Sequence, residues 1–137
     1  MEIRALGPGD DVAVVAAQAL FDGPARAEAT AAFLADPRHH LLVAYDAGEP
    51  VGFVSGVELT HPDKGTEMML YELGVAEQAR RRGYGRALTD ALRDLARERG
   101  CYDMFVLTDT DNVAAQATYT GSGARADGVH LMLTWDL

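Results

Sequence analysis

A glycine- and arginine-rich run, RRRGYGRAL at residues 80–88, separates two segments whose apolar patterns differ. The preceding residues 68–75 are almost continuously apolar, which is typical of a buried strand. The following residues 83–99 place apolar side chains at the spacing of one helical face, and Gly100 is suited to end that helix. A helix that begins in such a loop leaves backbone N–H groups unpaired at the positive end of its dipole. The run therefore predicts a site for an anion such as a pyrophosphate.

Two better-known phosphate-binding loops do not fit this run. The dinucleotide fingerprint G-x-G-x-x-G needs a glycine where the chain has Leu88, and the P-loop signature G-x-x-x-x-G-K-[ST] is absent. The alternative interpretation is a glycine-rich helix entry with solvated arginines, because short glycine motifs also recur by chance. Glycine spacing alone does not decide between the two interpretations.

The chain alternates short strand and helix patterns, with no internal repeat and no dividing linker, so we expect one domain over residues 1–137. The strand–helix–strand step across the glycine run needs a parallel crossover, whereas the hairpin patterns are antiparallel. An α+β fold with a mixed, mostly antiparallel sheet and flanking helices is therefore expected, in the order β-α-α-β-β-β-α-β-α-β. The predicted strands cover residues 2–6, 40–46, 51–59, 68–75, 102–108 and 129–136, and the predicted helices cover 11–20, 24–36, 83–99 and 112–120.

Composition limits the classes of function. At 137 residues, with 48% apolar and 24% charged residues, the chain has the composition of an ordinary globular domain. No apolar run approaches the roughly 20 residues that span a bilayer, the N-terminus lacks a signal-peptide pattern, and Cys101 is the single cysteine, so we expect a cytoplasmic protein. The net charge of −9 argues against nucleic acid or a membrane as partner. Residues 80–99 nevertheless carry a local charge of +4, which suits an anionic ligand there and a cationic one elsewhere.

The glycine run resembles the acyl-CoA pyrophosphate loop, R/Q-x-x-G-x-G/A, of the GCN5-related N-acetyltransferases (GNAT). Arg80, Gly83 and Gly85 stand at its three defining positions, and the predicted element order is similar to the GNAT fold over nearly the whole chain. The resemblance implies acetyl-CoA as co-substrate. It also implies that the strand over residues 68–75 splays from its neighbour and offers backbone groups to the pantetheine arm.

A second run, Asn112-x-x-Ala115-x-x-x-Tyr119, is similar to the helix that follows the fifth strand in the same family. There the asparagine contacts the cofactor arm and the tyrosine lies near the sulfur. Together the two runs imply a set of cofactor-binding residues: Leu73, Val75, Arg80, Arg81, Arg82, Gly83, Tyr84, Gly85, Arg86, Asn112, Ala115 and Tyr119.

Acetyl transfer to an amine needs a base for the amine proton and an acid for the departing thiolate. Glu72 is the candidate base, because strand alternation places it on the face of Met68 and Leu70, where lost hydration makes a carboxylate a stronger proton acceptor. Tyr119 is the candidate acid, by its position in the family. The structural alternatives are a Glu72 that faces a wet cleft or pairs with an arginine, and a Tyr119 that is only a packed aromatic.

A closer resemblance, over most of the chain, is to the small gentamicin-type aminoglycoside 3-N-acetyltransferases. It rests on LYELGV at residues 70–75 with the arginine-rich loop, on Thr108-Asp109, and on ATYT at residues 117–120. It implies acetylation of the 3-amino group of the 2-deoxystreptamine ring, and hence antibiotic resistance. Glu72 stands where that group typically has aspartate. GNAT members often dimerise, so we expect a homodimer.

Acidic side chains are expected to hold the cationic acceptor, and the candidates are Glu72, Asp109 and Asp111. Asp111 could equally cap the helix that follows it. An acidic body also suits polyamines and other small amines, which remain the alternative acceptor class. No spacing of the four histidines indicates a metal site, although His130 on the predicted last strand could reach the cleft. Cys101 is interpreted as a buried small residue and not as a nucleophile.

Overall fold

A computed structural model describes residues 1–137. Five strands form one sheet in the order β1-β2-β3-β4-β5, in which every neighbouring pair is antiparallel except the parallel pair β4–β5. The predicted fold class, α+β with a mixed, mostly antiparallel sheet and flanking helices, is confirmed. None of the helices has the length and apolar character that crossing a membrane requires. The elements are β1 (Glu2–Leu6), α1 (Asp11–Ala16), α2 (Ala27–Ala35), β2 (His39–Asp46), β3 (Glu49–His61), β4 (Gly65–Val75), α3 (Tyr84–Glu98), β5 (Met104–Phe105) and α4 (Val113–Gly121), with short 3-10 turns at Gln18–Leu20 and Glu77–Ala79.

The core lies on both faces of the central strands. On one face α3 packs against the sheet through Leu88 and Leu92, both fully buried, and on the other α1 and α2 pack against β2 and β3. The turn of the hairpin between β2 and β3 consists of Ala47 and Gly48, and both have positive φ. A two-residue hairpin turn that matches the twist of its strands requires positive φ at both positions. The helix predicted from the periodicity of residues 83–99 is thus the one that anchors the glycine run to the sheet.

A β-bulge at Tyr71 divides β4 into two halves. Ser55 pairs with Glu72 and Gly56 pairs with Leu70, so Tyr71 has no partner on β3. The Ser55 hydroxyl fixes the bulge by accepting a hydrogen bond of 3.2 Å from the backbone N–H of Glu72. One extra residue reverses the alternation of side chains beyond it. Leu70 and Leu73 therefore face α3, and Glu72 faces the side of α1 and α2. The prediction that Glu72 shares the face of Met68 and Leu70 is wrong.

Two predicted strands differ from the structure. The strand expected over residues 102–108 is reduced to β5, because β4 and β5 pair only at Met68–Met104 and Met69–Phe105 and then diverge at the bulge. The strand expected over residues 129–136 is not formed, because no strand of the chain lies beside that segment. Alternation of apolar and polar residues predicts the capacity to form a strand, but a strand also needs a partner for its backbone groups.

Candidate active site

The divergence of β4 from β5 opens a cleft of about 780 Å³, a volume typical of sites for small molecules and cofactors. The second half of β4 forms one wall, α4 forms the facing wall, and the start of α3 closes one end. The predicted site residues that line the cleft are Leu73, Val75, Arg80, Gly85, Asn112, Ala115 and Tyr119. Sequence reasoning did not predict the lining by Ala16 and Leu20, since only tertiary packing brings the α1 region to this wall.

The N-terminus of α3 presents unpaired donors. The backbone N–H groups of Tyr84, Gly85 and Arg86 have no hydrogen-bond partner in the chain, because the first helical bond runs from Ala87 to the carbonyl of Gly83. Gly83 is the N-cap, it has φ +87°, and it supplies no capping side chain. The first turn also lacks an acidic residue that would oppose an anion. This helix end can therefore receive phosphate oxygens on its backbone amides.

The four arginines of the run differ in how they are held. Arg82 pairs with Asp46 at 3.1 Å, Arg86 pairs with Asp90 at 3.2 Å, and Arg80 donates to the carbonyl of Val75 at 3.4 Å. Arg81, with φ +61°, forms no ion pair in the chain. Arg80 alone among them lines the cleft. The Arg86–Asp90 pair has a signal in the sequence, since residues four apart meet on a helix, whereas the Arg82–Asp46 pair has none.

Tyr84 enters the site by its backbone and not by its ring. Its side chain is 4% exposed and packs in the core beneath α3, beside Leu88. The next residue, Gly85, faces the cleft instead of the core. A Cβ on Gly85 would meet Thr118, Val75 and Leu73 at 3.6–3.9 Å, which is ordinary contact distance. Gly85 thus lies where β4, α3 and α4 meet at the cleft.

Helix α4 points three predicted residues, Asn112, Ala115 and Tyr119, at the cleft from one face. The side chain of Asn112 is the N-cap and accepts a hydrogen bond of 3.1 Å from the N–H of Ala115. The cap that the sequence allowed for Asp111 is therefore filled by Asn112. Burial raises the pKa of the Tyr119 phenol above its ordinary value, and its hydroxyl has no partner in the chain. The phenol accordingly stays protonated at neutral pH and can donate a hydrogen bond into the cleft.

Glu72 lines a second, smaller groove of about 240 Å³ on the other face of β4. Because Glu72 and Leu73 are consecutive strand residues, one points into this groove and the other into the cleft. The two cavities therefore lie on opposite faces of β4, at neighbouring residues just beyond the bulge. Most residues of the groove are apolar, and they include Val14, Phe21, Ala25, Phe33, Leu41 and Phe53.

The other predicted acids lie outside both cavities. Asp109 and Asp111 are exposed in the segment between β5 and α4, and line neither the cleft nor the groove. Glu58, an acid on β3, is 8% exposed and is held by Arg99 at 2.8 Å and His40 at 2.6 Å. Burial alone would raise the pKa of Glu58, but these hydrogen bonds and charges lower it below its ordinary value. Glu58 is thus neutralised within the fold.

The remaining reactive side chains do not join the site. Burial raises the pKa of the Cys101 thiol, which packs half-buried against the core, so its reactive thiolate form is disfavoured. His130 lies in an exposed segment and lines neither cavity, contrary to the expectation for it. No three His, Cys, Asp or Glu side chains come together as metal ligands.

Residues 14–123 match the model of the family described as "Acetyltransferase (GNAT) family". Because the match covers most of the chain, the protein belongs to the GNAT family. Among curated relatives, N-acetyltransferase 8 of Rattus norvegicus is 30% identical over 112 residues, which cover 80% of this chain and 50% of the relative. The chain spans about half the length of the first curated relatives it matches.

Solved structures of the same architecture include aminoglycoside acetyltransferases from uncultured soil metagenomic samples. One is 27% identical, with a TM-score of 0.86 and coverage of 98% of both chains. A second, in complex with sisomicin, has a TM-score of 0.86 at 20% identity and covers 98% of this chain and 96% of its own. At 20% identity the likeness shows the fold alone.

Proposed function

We propose that residues 1–137 form an acetyl-CoA-dependent N-acetyltransferase domain that acetylates the 3-amino group of aminoglycoside antibiotics. One observation carries the proposal: beside the bulge, the consecutive residues Glu72 and Leu73 line a groove and a cleft on the two faces of β4. An acyl donor in the cleft and an amine beside Glu72 would approach each other at the edge of β4 from which β5 has diverged. Such an arrangement suits a direct transfer between two bound substrates.

The cleft has the donors that acetyl-CoA requires. The unpaired N–H groups of Tyr84, Gly85 and Arg86 would hold the pyrophosphate, assisted by the exposed charge of Arg81. The edge of β4 that faces the cleft has lost its partner β5 and would hold the pantetheine arm through Leu73 and Val75. Asn112 and Ala115 would contact that arm from α4. The other loop residues proposed to bind the cofactor are Arg80, Arg82, Gly83 and Arg86.

The thioester supplies the activated acetyl group, and the protein's residues manage the protons. Glu72 would take the proton that the amine must lose, directly or through water, while the new N–C bond forms. Tyr119 would donate its phenolic proton to the sulfur as the C–S bond breaks, because its hydroxyl has no other partner and stays protonated at neutral pH. The acid and base would thus act from opposite sides of β4.

Three further points support an aminoglycoside acceptor. The net charge of −9 attracts a ligand with several ammonium groups. Asp109 and Asp111 are exposed in the segment between β5 and α4, where they would bind ammonium groups outside the groove. A structure of 27% identity is that of an aminoglycoside acetyltransferase. The second candidate is another small amine, and the apolar lining of the groove beside Glu72 favours it over a highly charged acceptor.

Identification of the acetylated nitrogen tests the proposal. The protein is incubated with acetyl-CoA and sisomicin, and the product is purified and assigned by NMR. We expect a single acetyl group on the 3-amino nitrogen. Acetylation at any other amino group would overturn the positional part of the proposal, and an unmodified drug would overturn the choice of acceptor.

A further inference from the structure

Helix α4 carries Ala115 and Tyr119 into the cleft, yet few apolar contacts hold this helix in place. None of its residues is buried, and α3 is the helix against which it packs. The Tyr119 side chain is half-buried at the edge of the core. Elements with few buried apolar contacts open locally at a low cost in free energy. The position of α4, and with it that of Tyr119, therefore depends on polar contacts with α3.

The polar contacts converge on the C-terminal end of α4. Its C-cap, Ser122, is 7% exposed. The Ser122 hydroxyl donates a hydrogen bond to the carboxylate of Asp90 on α3, and the Ser122 carbonyl accepts one of 2.8 Å from the Arg93 guanidinium. The backbone N–H of Ser122 donates to the carbonyls of Thr118 and Tyr119. Ser122 is thus joined to α3 on one side and to the last turn of α4 on the other.

Asp90 is the centre of this attachment. Its carboxylate also accepts hydrogen bonds from Arg86 at 3.2 Å and from Arg93 at 3.1 Å. Burial alone would raise the pKa of Asp90, but the hydrogen bond from Ser122 and the charges of the two arginines lower it below its ordinary value. The carboxylate is therefore ionised at neutral pH. Hydrogen bonds to an ionised acceptor are about twice as strong as neutral ones.

We propose that Asp90 is a positioning residue for acetyl transfer: its carboxylate holds the end of α4 and thereby places the Tyr119 phenol at the cleft. This role rests on the proposed function, in which Tyr119 is the acid. Ser122 follows Tyr119 by three residues, which is about 4.5 Å along a helix axis, so a displacement of the helix end reaches the phenol. A misplacement of about 1 Å at the reacting atoms can lower a rate by about 10²-fold.

The chain offers a matched control on the same helix. Asp94, one turn beyond Asp90, pairs with Arg93 at 3.1 Å and with Arg97 at 3.5 Å, and it makes no hydrogen bond to α4. Asp90→Ala and Asp94→Ala therefore remove the same group from α3, but the first alone detaches Ser122. Ser122→Ala removes the same hydrogen bond from the side of α4 and leaves the charges of α3 in place.

A double-mutant cycle tests whether Asp90 acts through Tyr119. With acetyl-CoA and sisomicin, Asp90→Ala and Ser122→Ala should each lower kcat by about tenfold, and Asp94→Ala should leave kcat unchanged. Tyr119→Phe has no phenolic proton to place, so adding Asp90→Ala to it should lower kcat by less than about twofold. An equal fall in both backgrounds would show a general loss of structure and overturn the proposal, as would an unchanged kcat in Asp90→Ala.

Hydrogen exchange of the full chain, followed by mass spectrometry, tests the attachment without any turnover. Asp90→Ala and Ser122→Ala should speed the exchange of the α4 amides by about tenfold or more, whereas Asp94→Ala should not. Exchange in α4 that stays as slow as in the unchanged chain would overturn the proposal whatever the activity. Faster exchange in α4, in a protein that acetylates no amine, would uphold the attachment. The same result would overturn the proposed function together with the role of Asp90 in transfer.

Discussion

Gly85 allows the pyrophosphate site to be tested without disturbing the fold. A Cβ at this position would sit 3.6–3.9 Å from Thr118, Val75 and Leu73, so Gly85→Ala fits the existing space. Alanine in a helix is favoured over glycine by roughly 0.5–1 kcal/mol, because glycine loses more backbone entropy on folding. For a chain of this length that gain corresponds to a rise in Tm of about 2–4 °C. Gly85→Ala should therefore be slightly more stable and should still bind acetyl-CoA.

Gly85→Leu is the blocking variant of the pair. Three residues already surround the Cβ position, so the added atoms can only extend into the cleft, while leucine remains a good helix former. We expect acetyl-CoA affinity to fall by at least about tenfold, or about 1.4 kcal/mol, with Tm close to that of Gly85→Ala. Calorimetric titration measures the affinity and thermal unfolding measures Tm. Binding by Gly85→Leu at the strength of the unchanged chain would refute the assignment of this helix end to the cofactor.

Four further substitutions, one of them a control, separate chemistry from folding. Glu72→Gln should lower kcat by about 10²-fold or more while leaving acetyl-CoA affinity intact, and Glu67→Gln on the same strand should leave kcat unchanged in the same assay. Tyr119→Phe should also lower kcat by about 10²-fold. Burial raises the pKa of Tyr119, so kcat of the unchanged chain should stay constant into the alkaline range and fall only when the phenol ionises. A pH–rate profile measures this fall. Glu58→Gln should lose about 1.5–3 kcal/mol of stability at pH 7, since it removes the carboxylate that accepts the hydrogen bond of the Arg99 guanidinium and contacts His40. The pKa of Glu58 is lower in the folded than in the unfolded chain. The stability difference between the unchanged chain and Glu58→Gln should therefore be complete above the unfolded pKa and should disappear as the pH falls through the folded pKa. Denaturation at a series of pH values measures this difference.

Local patterns were sufficient for the parts of the site that depend on neighbouring residues. The glycine run predicted a helix with an open N-terminus because both features follow from composition and 3.6-residue spacing, and the structure has α3 at Tyr84–Glu98. The run from Asn112 to Tyr119 likewise lies along the cleft on one helix. The hairpin at Ala47 and Gly48 is equally local.

Features that depend on pairing between distant residues were not predictable. The face of Glu72 is set by the bulge at Tyr71, which depends on how Ser55 pairs across the sheet. The length of β5 is set by where β4 diverges from it. A prediction from strand alternation assumes an unbroken register. One unpaired residue was enough to place the Glu72 side chain on the opposite face of the sheet from the one predicted. The apolar groove beside Glu72 depends in the same way on the packing of α1 and α2 onto the sheet.

The most direct test of the account is the release of CoA from acetyl-CoA in the presence of different amines. The protein is assayed with gentamicin and sisomicin, with spermidine, and with a peptide that has a free N-terminus, each against a reaction without acceptor. The account predicts fast release with the two aminoglycosides and only the background rate with the other amines. Release with spermidine or the peptide alone would contradict the aminoglycoside acceptor, and background rates with every amine, despite bound acetyl-CoA, would contradict acetyl transfer as the function.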